Sequence, residues 1–273
     1  MPRPSLFAPV GVSDETRKKN ETVEGLLLMH MQCCKKRVSA VTPYLWVDLN
    51  AGPGRYSADD GQPSLFEPAS EFSEIITGSP LIFRSCAEHR QIEHYRAILF
   101  ENHSGCRDSL SAYIGDDPRF MILGDHCAAT RMLVDVPMWT YGMVYSDESG
   151  HIPPFHLLGD IASLRGLRKV DLLINYAAAT HKRARLSKPG RHRYVIEEIS
   201  DIPKDFWLIR EPHRQHQWTF LIGTNWGGFP EWKQKGFFLL DSPEGQMILE
   251  RLNYSTGELA QRDGVDDLTL SFL

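Results

Sequence analysis

The sequence predicts an α/β fold of Rossmann-like type: a twisted, mostly parallel sheet with helices on both faces. Three observations lead there. Short apolar runs are interspersed with segments of helical period. The best of the runs are continuous rather than alternating, as in strands buried on both faces. Three of them end in an acidic residue and a turn, at Asp48, Glu101 and Asp125.

The first of these ends organises the rest. Leu45-Trp46-Val47-Asp48-Leu49-Asn50 runs into Ala51-Gly52-Pro53-Gly54-Arg55-Tyr56. Gly52 and Gly54 permit positive φ and a close approach to something bulky, and Pro53 stiffens the turn. In open α/β sheets, ligands bind beyond the carboxyl ends of the strands. The turn therefore reads as the cofactor loop of a class I methyltransferase-like domain, with S-adenosylmethionine (SAM) as ligand.

In chain order, residues 1–12 carry Pro and Gly and form an extended arm. A helix runs from Ser13 to about Ser39, with Ser13 or Asp14 as cap and Val23, Leu26, Leu27 and Met31 as its apolar face. The first strand is Tyr44–Leu49. The polar stretch Ser57 to Thr77 is longer than the usual connection of about 2–6 residues, as functional lids often are. Gly78-Ser79-Pro80 starts a helix, with Ser79 capping and Pro80 in the first turn, running from Leu81 to about His94. Its N-terminus can point amides at a ligand. The second strand, Tyr95–Phe100, ends in Glu101-Asn102; a carboxylate here accepts from ribose hydroxyls. A helix spans Ser104–Ile114. The third strand, Arg119–Leu123, ends in Gly124-Asp125-His126, where a carboxylate takes an adenine amine or caps the next turn. The candidate cofactor residues are thus Asp48, Asn50, Ala51, Gly52, Pro53, Gly54, Glu101, Asn102, Asp125 and His126.

The fourth strand, Tyr141–Tyr145, leads to Ser146-Asp147-Glu148. This position faces the donor methyl in such a fold, so Asp147 is the candidate catalytic residue. Pro153-Pro154-Phe155 matches part of the Asp/Asn/Ser-Pro-Pro-aromatic motif of amino-methylating enzymes. It is displaced from the strand end, and Ile152 cannot accept a hydrogen bond. A helix covers Phe155–Arg165 and a fifth strand Val170–Asn175. The segment Thr180–Arg193 reads as a basic loop, with Lys182, Arg183, Arg185, Lys188, Arg191 and Arg193 as candidate phosphate contacts. The last third is β-rich, with strands at Asp205–Arg210, Trp218–Thr224 and Phe237–Leu240 and a helix at Ser242–Leu252. Trp207, Trp218, Trp226 and Trp232 stack on bases or fill a core. The organisation expected is a helical arm over 1–42, a main domain over 43–252 and a polar tail over 253–273.

Composition narrows the class. Net charge is −5 over 273 residues, so no global basic field draws nucleic acid and any contact is local. No apolar run reaches the ~18 residues needed to span a bilayer, and nothing at the N-terminus resembles a signal peptide. The five cysteines form no CxxC pair, which argues against a zinc site or a disulfide framework. Reduced thiols fit a cytoplasmic protein with no metal.

Asp48-Leu49-Asn50-Ala51-Gly52-Pro53-Gly54, Gly78-Ser79-Pro80-Leu81, Tyr145–Gly150, Asp171-Leu172-Leu173-Ile174-Asn175, Gln217-Trp218-Thr219 and Gly223-Thr224-Asn225 together resemble the three-Cys-motif partner family. The resemblance covers roughly residues 20–250. It implies a class I methyltransferase-like sheet of seven strands, the last two forming an antiparallel pair, and a setting in mobile elements or defence-like loci. By the same resemblance Asp48, Ala51, Gly52 and Gly54 line the SAM site, Glu101 meets the ribose and Asp125 the adenine. Asp147-Glu148 stands where amino-methylating enzymes place Asp-Pro-Pro-Tyr.

Two functions of different class follow. One is a SAM-dependent methyltransferase acting on nucleic acid, its target base flipped out if it lies in a duplex. The other is a catalytically inactive adaptor of the same fold, binding nucleic acid or a protein partner. A third expectation keeps the pocket but fills it with another nucleoside cofactor.

Overall fold

A computed structural model describes residues 14–57, 75–148, 151–188, 192–213, 218–226 and 231–262. The expectations for the N-terminal arm, most of the Ser57–Thr77 stretch, Arg191, Gln217 and the last eleven residues of the tail lie outside them. The chain divides into two units, residues 1–145 and 146–273.

In the first unit, α1 (Asp14–Cys34) is followed by β1 (Tyr44–Asp48), β2 (Arg55–Ser57), β3 (Ile75–Thr77), α2 (Ser79–His89), β4 (Tyr95–Phe100), α3 (Ser104–Ile114), β5 (Phe120–Leu123), α4 (Ala129–Leu133) and β6 (Gly142–Ser146), whose last residue falls in the second unit. β1 lies between β4 and β6, β5 lies outside β4, and these three pairings are parallel, whereas β2 and β3 form a separate antiparallel pair. In strand sequence this is third–second–first–fourth, the order of the Rossmann half-sheet. All five β1 residues are buried, as the continuous apolar run requires. Trp46 stacks on Phe83 of α2 at 5.3 Å and on Tyr145 of β6 at 5.6 Å. The predicted apolar face of α1 is right: Val23, Leu26, Leu27 and Met31 are fully buried, and α1 packs on α2.

In the second unit, α5 (Phe155–Ala162), β7 (Val170–Ala177), α6 (Ala178–Ser187), α7 (Val195–Ser200), β8 (Phe206–Arg210), β9 (Trp218–Thr224), β10 (Phe237–Leu239), α8 (Pro243–Asn253) and α9 (Thr256–Arg262) follow in order. β9 runs antiparallel to both β7 and β8, and β10 antiparallel to β8.

The fold is α/β and Rossmann-like, with a mostly parallel first half and the expected antiparallel pair, β8–β9, near its end. The main sheet has eight strands rather than seven, with Phe237–Leu239 added at its border beside β8. Three further expectations need correction. The first helix stops at Cys34 and tightens into a 3-10 turn over Lys35–Arg37 instead of reaching Ser39. Thr180–Arg193 is not a loop: most of it is α6, rich in Ala, Arg, Lys and Leu, all good helix formers. The polar tail opens with α9, held by Arg185 against Glu258 at 2.7 Å.

Candidate functional site

The parallel register of the first unit brings the carboxyl ends of β1, β4 and β5 level: Asp48 pairs with Leu99, and Phe100 with Leu123. The turn after β1 is bound to both neighbours. Ala51 N–H donates to the Phe100 carbonyl at 2.9 Å, and Leu49 N–H to the Tyr145 carbonyl at 3.0 Å. Gly52 and Gly54 have φ of 64° and 84°, the left-handed region the turn was expected to need. A side chain at Gly52 would also collide with the Tyr56 hydroxyl, 2.2 Å from an ideal Cβ.

Asp48 is fully buried. Its Oδ1 accepts from Asn50 N–H at 3.1 Å and its Oδ2 from the Ser79 hydroxyl at 2.6 Å. The carboxylate therefore ties the turn to the first residue of α2. This corrects the expectation for Ser79: the residue before the helix is Gly78, no side chain caps it, and the Ser79 hydroxyl serves Asp48 instead.

Glu101 takes one backbone donor on each oxygen. Oε2 accepts from Gly52 N–H at 2.9 Å and Oε1 from His103 N–H at 2.7 Å. A carboxylate has about four lone-pair directions, so two remain for a pair of ribose hydroxyls. The Arg107 guanidinium donates to the carbonyls of Glu101 and Asn102 at 2.8 and 2.7 Å and fixes this strand end. Asp125 is exposed, and the Cys127 N–H that its Oδ1 accepts at 2.8 Å holds its carboxyl below the usual range. It is an anion that caps a turn and still has lone pairs for an amine. His126 Nδ1 lies 3.3 Å from the Leu49 carbonyl. Asp48, Asn50, Ala51, Gly52, Glu101 and His126 are thus joined by hydrogen bonds across three strand ends. Pro53 is tied in through its carbonyl, which accepts from the Ser109 hydroxyl at 3.1 Å.

The second unit holds the remaining predicted residues. Asp147 follows β6, and its Oδ1 accepts from the Asn175 side-chain amide at 2.7 Å. Sequence reasoning missed Asn175. It stood only as the last residue of a strand, and nothing local signals a partner 28 positions away. Its Oδ1 is buried without a hydrogen-bond partner, as is the Ser146 hydroxyl. A buried unpaired group of this kind costs about 1–3 kcal/mol.

Phe155, the aromatic of the Pro-Pro-Phe stretch, is no base-stacking surface. It is buried, with its ring 6.3 Å from Tyr176 and 6.2 Å from His181. Trp207 is buried too, and Trp226 donates its indole N–H to the fully buried Asp171 at 2.9–3.0 Å. Those two serve the core, whereas Trp218 is half-buried and stacked on His213.

Of the predicted phosphate contacts, Arg185 pairs with Glu258 and lies over the Tyr194 ring, and Arg193 pairs with Asp201. Lys182 donates to the Arg251 carbonyl. Arg183 and Lys188 are exposed, and among the described residues Arg183 bonds only groups of its own helix.

Tyr176 OH and His181 Nδ1 are 2.8 Å apart inside this unit. Burial pushes the His181 pKa down from 6.5 to about 4. The unfolded chain takes up this proton near pH 6.5, the folded one only near pH 4. The stability this group confers is therefore complete above pH 6.5 and lost as pH falls through 4. In His181→Gln the loss of stability between pH 6.5 and 4 shrinks by up to about 3 kcal/mol, read from urea midpoints. An unchanged acid limb places the responsible group elsewhere.

No protein-family model and no curated protein matches the chain. Among solved structures it is similar to a protein from Legionella pneumophila, with a TM-score of 0.46 and 13% identity over 85% of this chain and 91% of that one. It is similar to Trm1 from Pyrococcus horikoshii, solved as a complex with SAM, with a TM-score of 0.44 and 11% identity over 81% of this chain and 58% of that one. It is also similar to a precorrin-6y C5,15-methyltransferase from Geobacter metallireducens, with a TM-score of 0.41 and 8% identity over 80% of this chain and 92% of that one.

Proposed function

We propose that the chain is a SAM-dependent methyltransferase acting on a nucleic-acid base. The observation that carries the cofactor half is Glu101. One carboxylate holds the Gly52 amide at the left-handed turn and keeps lone pairs at the end of the second strand, where an adenosyl ribose would present its hydroxyls. In this reading Asp48 keeps the turn in register with α2, and Asp125 accepts from the adenine amine. The residues fit the group, since their unshared acceptors match the hydroxyls and amine of an adenosine.

When bound, SAM supplies an electrophilic methyl on sulfur. The chain's part is to orient the acceptor and take up its proton, the role proposed for Asp147. Arg183, Lys188 and Arg191 are the cations we assign to phosphate. They are few, so binding to nucleic acid should be weak and strongly salt-dependent.

Titration calorimetry with SAM and S-adenosylhomocysteine tests the first half. Micromolar binding supports it, and no heat with either ligand ends it. The adaptor reading is favoured by one observation: Arg185 and Arg193 are already paired with carboxylates, as in a surface not built for phosphate. Under that reading Asp147→Ala leaves every function intact.

A further inference from the structure

We propose that β5 is the meeting edge of a homodimer. Two copies of the chain pair their β5 strands antiparallel, about a two-fold axis through Ile122. This goes beyond the methyltransferase reading and does not depend on it. β5 is a border of the main sheet, joined on one side only, to β4. Its residues, Phe120-Met121-Ile122-Leu123, are apolar and all partly exposed. Borders left open to water are usually blunted by a charge or a proline, and β5 contains neither.

The ladder to β4 fixes which groups look outward. The Arg119 and Leu123 carbonyls accept from Ala97 N–H at 2.8 Å and Glu101 N–H at 3.0 Å, so these two residues and Met121 between them face β4. By alternation Phe120, Ile122 and Gly124 turn their N–H and C=O the other way. Phe120 N–H is taken by the Asp117 carbonyl at 3.1 Å, whereas Ile122 N–H and C=O and Gly124 N–H have no partner among the described residues. An antiparallel partner must set outward residues against outward residues. Centring on Ile122 does so with the most bonds: Ile122 faces Ile122 and exchanges a pair, and each Gly124 N–H meets the opposite Phe120 carbonyl.

The same register brings a second, independent match. It sets Arg119 of either copy directly across from Asp125 of the other, and opposite charges so placed attract while like charges would bar the pairing. Asp117 holds Nε and Nη2 of Arg119 at 2.7–3.2 Å, which leaves Nη1 to donate to another carboxylate. Asp125 is exposed. Cys127 donates to it through its N–H at 2.8 Å and through its thiol, and lone pairs remain for a guanidinium. The two-fold consumes the open edge of both copies, so the assembly closes at two.

Sedimentation velocity on the full chain over a range of concentrations tests this. The interface is small, so the wild type should dimerise weakly, with a Kd on the order of 10 μM. Ile122→Pro removes an outward N–H and no bond to β4, and should leave a monomer at about 300 μM. Arg119→Glu and Asp125→Lys should each weaken dimerisation about tenfold, and together restore it to within about threefold of the wild type. If Ile122→Pro does not fold, these two exposed positions decide alone. A wild type still monomeric at about 300 μM overturns the proposal. So does a dimer that Ile122→Pro leaves intact, or a doubly reversed variant no better than either single one.

Discussion

Glu101→Gln is expected to weaken S-adenosylhomocysteine binding by about 10- to 100-fold. The substitution keeps size and shape but turns one acceptor oxygen into an NH2 group. Gly52 N–H and His103 N–H each need an acceptor, at 2.9 and 2.7 Å, and glutamine has only one to offer. One backbone donor then faces another donor. Losing a charge-assisted hydrogen bond at a partly buried place costs about 1.5–3 kcal/mol, which is that range in affinity. The ribose hydroxyls lose their anionic partner as well. Titration calorimetry on the full chain reads the effect. Asp125→Asn, at an exposed carboxylate, should cost much less. Unchanged affinity in Glu101→Gln would reduce Glu101 to a brace for the turn.

Gly142→Ala is expected to be the most destabilising single methyl in the first unit. Gly142 sits in β6 directly opposite Leu45 of β1. An ideal Cβ there lies 1.9 Å from the Leu45 carbonyl oxygen and 2.7 Å from its carbon. Both are backbone atoms of a fully buried strand, so no rotamer change relieves the overlap. The strands must part, at a cost on the order of 4 kcal/mol. For a chain of this size that is a fall of about 10 °C in Tm. Gly257→Ala is the control, since nothing lies within 4 Å of its Cβ. A drop of under 2 °C in Gly142→Ala would mean that β1 and β6 are not paired as described.

What could be read from the chain, and what could not, divides by range. β4, α3 and β9 were foreseen to the residue, because their apolar runs and turn residues are local signals. The turn after Asp48 was foreseen for the same reason, with glycines where φ is positive. Most of the failures are long-range. Ser79 looked like a cap until its hydroxyl was found on Asp48, 31 positions away. Arg55-Tyr56 looked like the continuation of the glycine turn and Ser57 and Ile75–Thr77 like the ends of a polar stretch, yet Arg55–Ser57 and Ile75–Thr77 pair with each other. The Thr180–Arg193 segment was read by its charge and by Pro189-Gly190, which obscured the run of good helix formers from Lys182 to Leu186 before them. Arg185 and Arg193 looked free because Glu258 and Asp201 are recognisable as partners only once the chain is folded.

β10 has a consequence for how copies of the chain meet one another. Without it β8 would expose a row of amides and carbonyls, an invitation to strands from other molecules. β10 covers that row with three residues and cannot lengthen, since Gly236 turns left-handed before it and Ser242-Pro243 begins a helix soon after. So short a border offers little for a second molecule to zip onto. Shortening the chain before Phe237 should therefore expose the β8 border and favour fibrous self-association, read by light scattering.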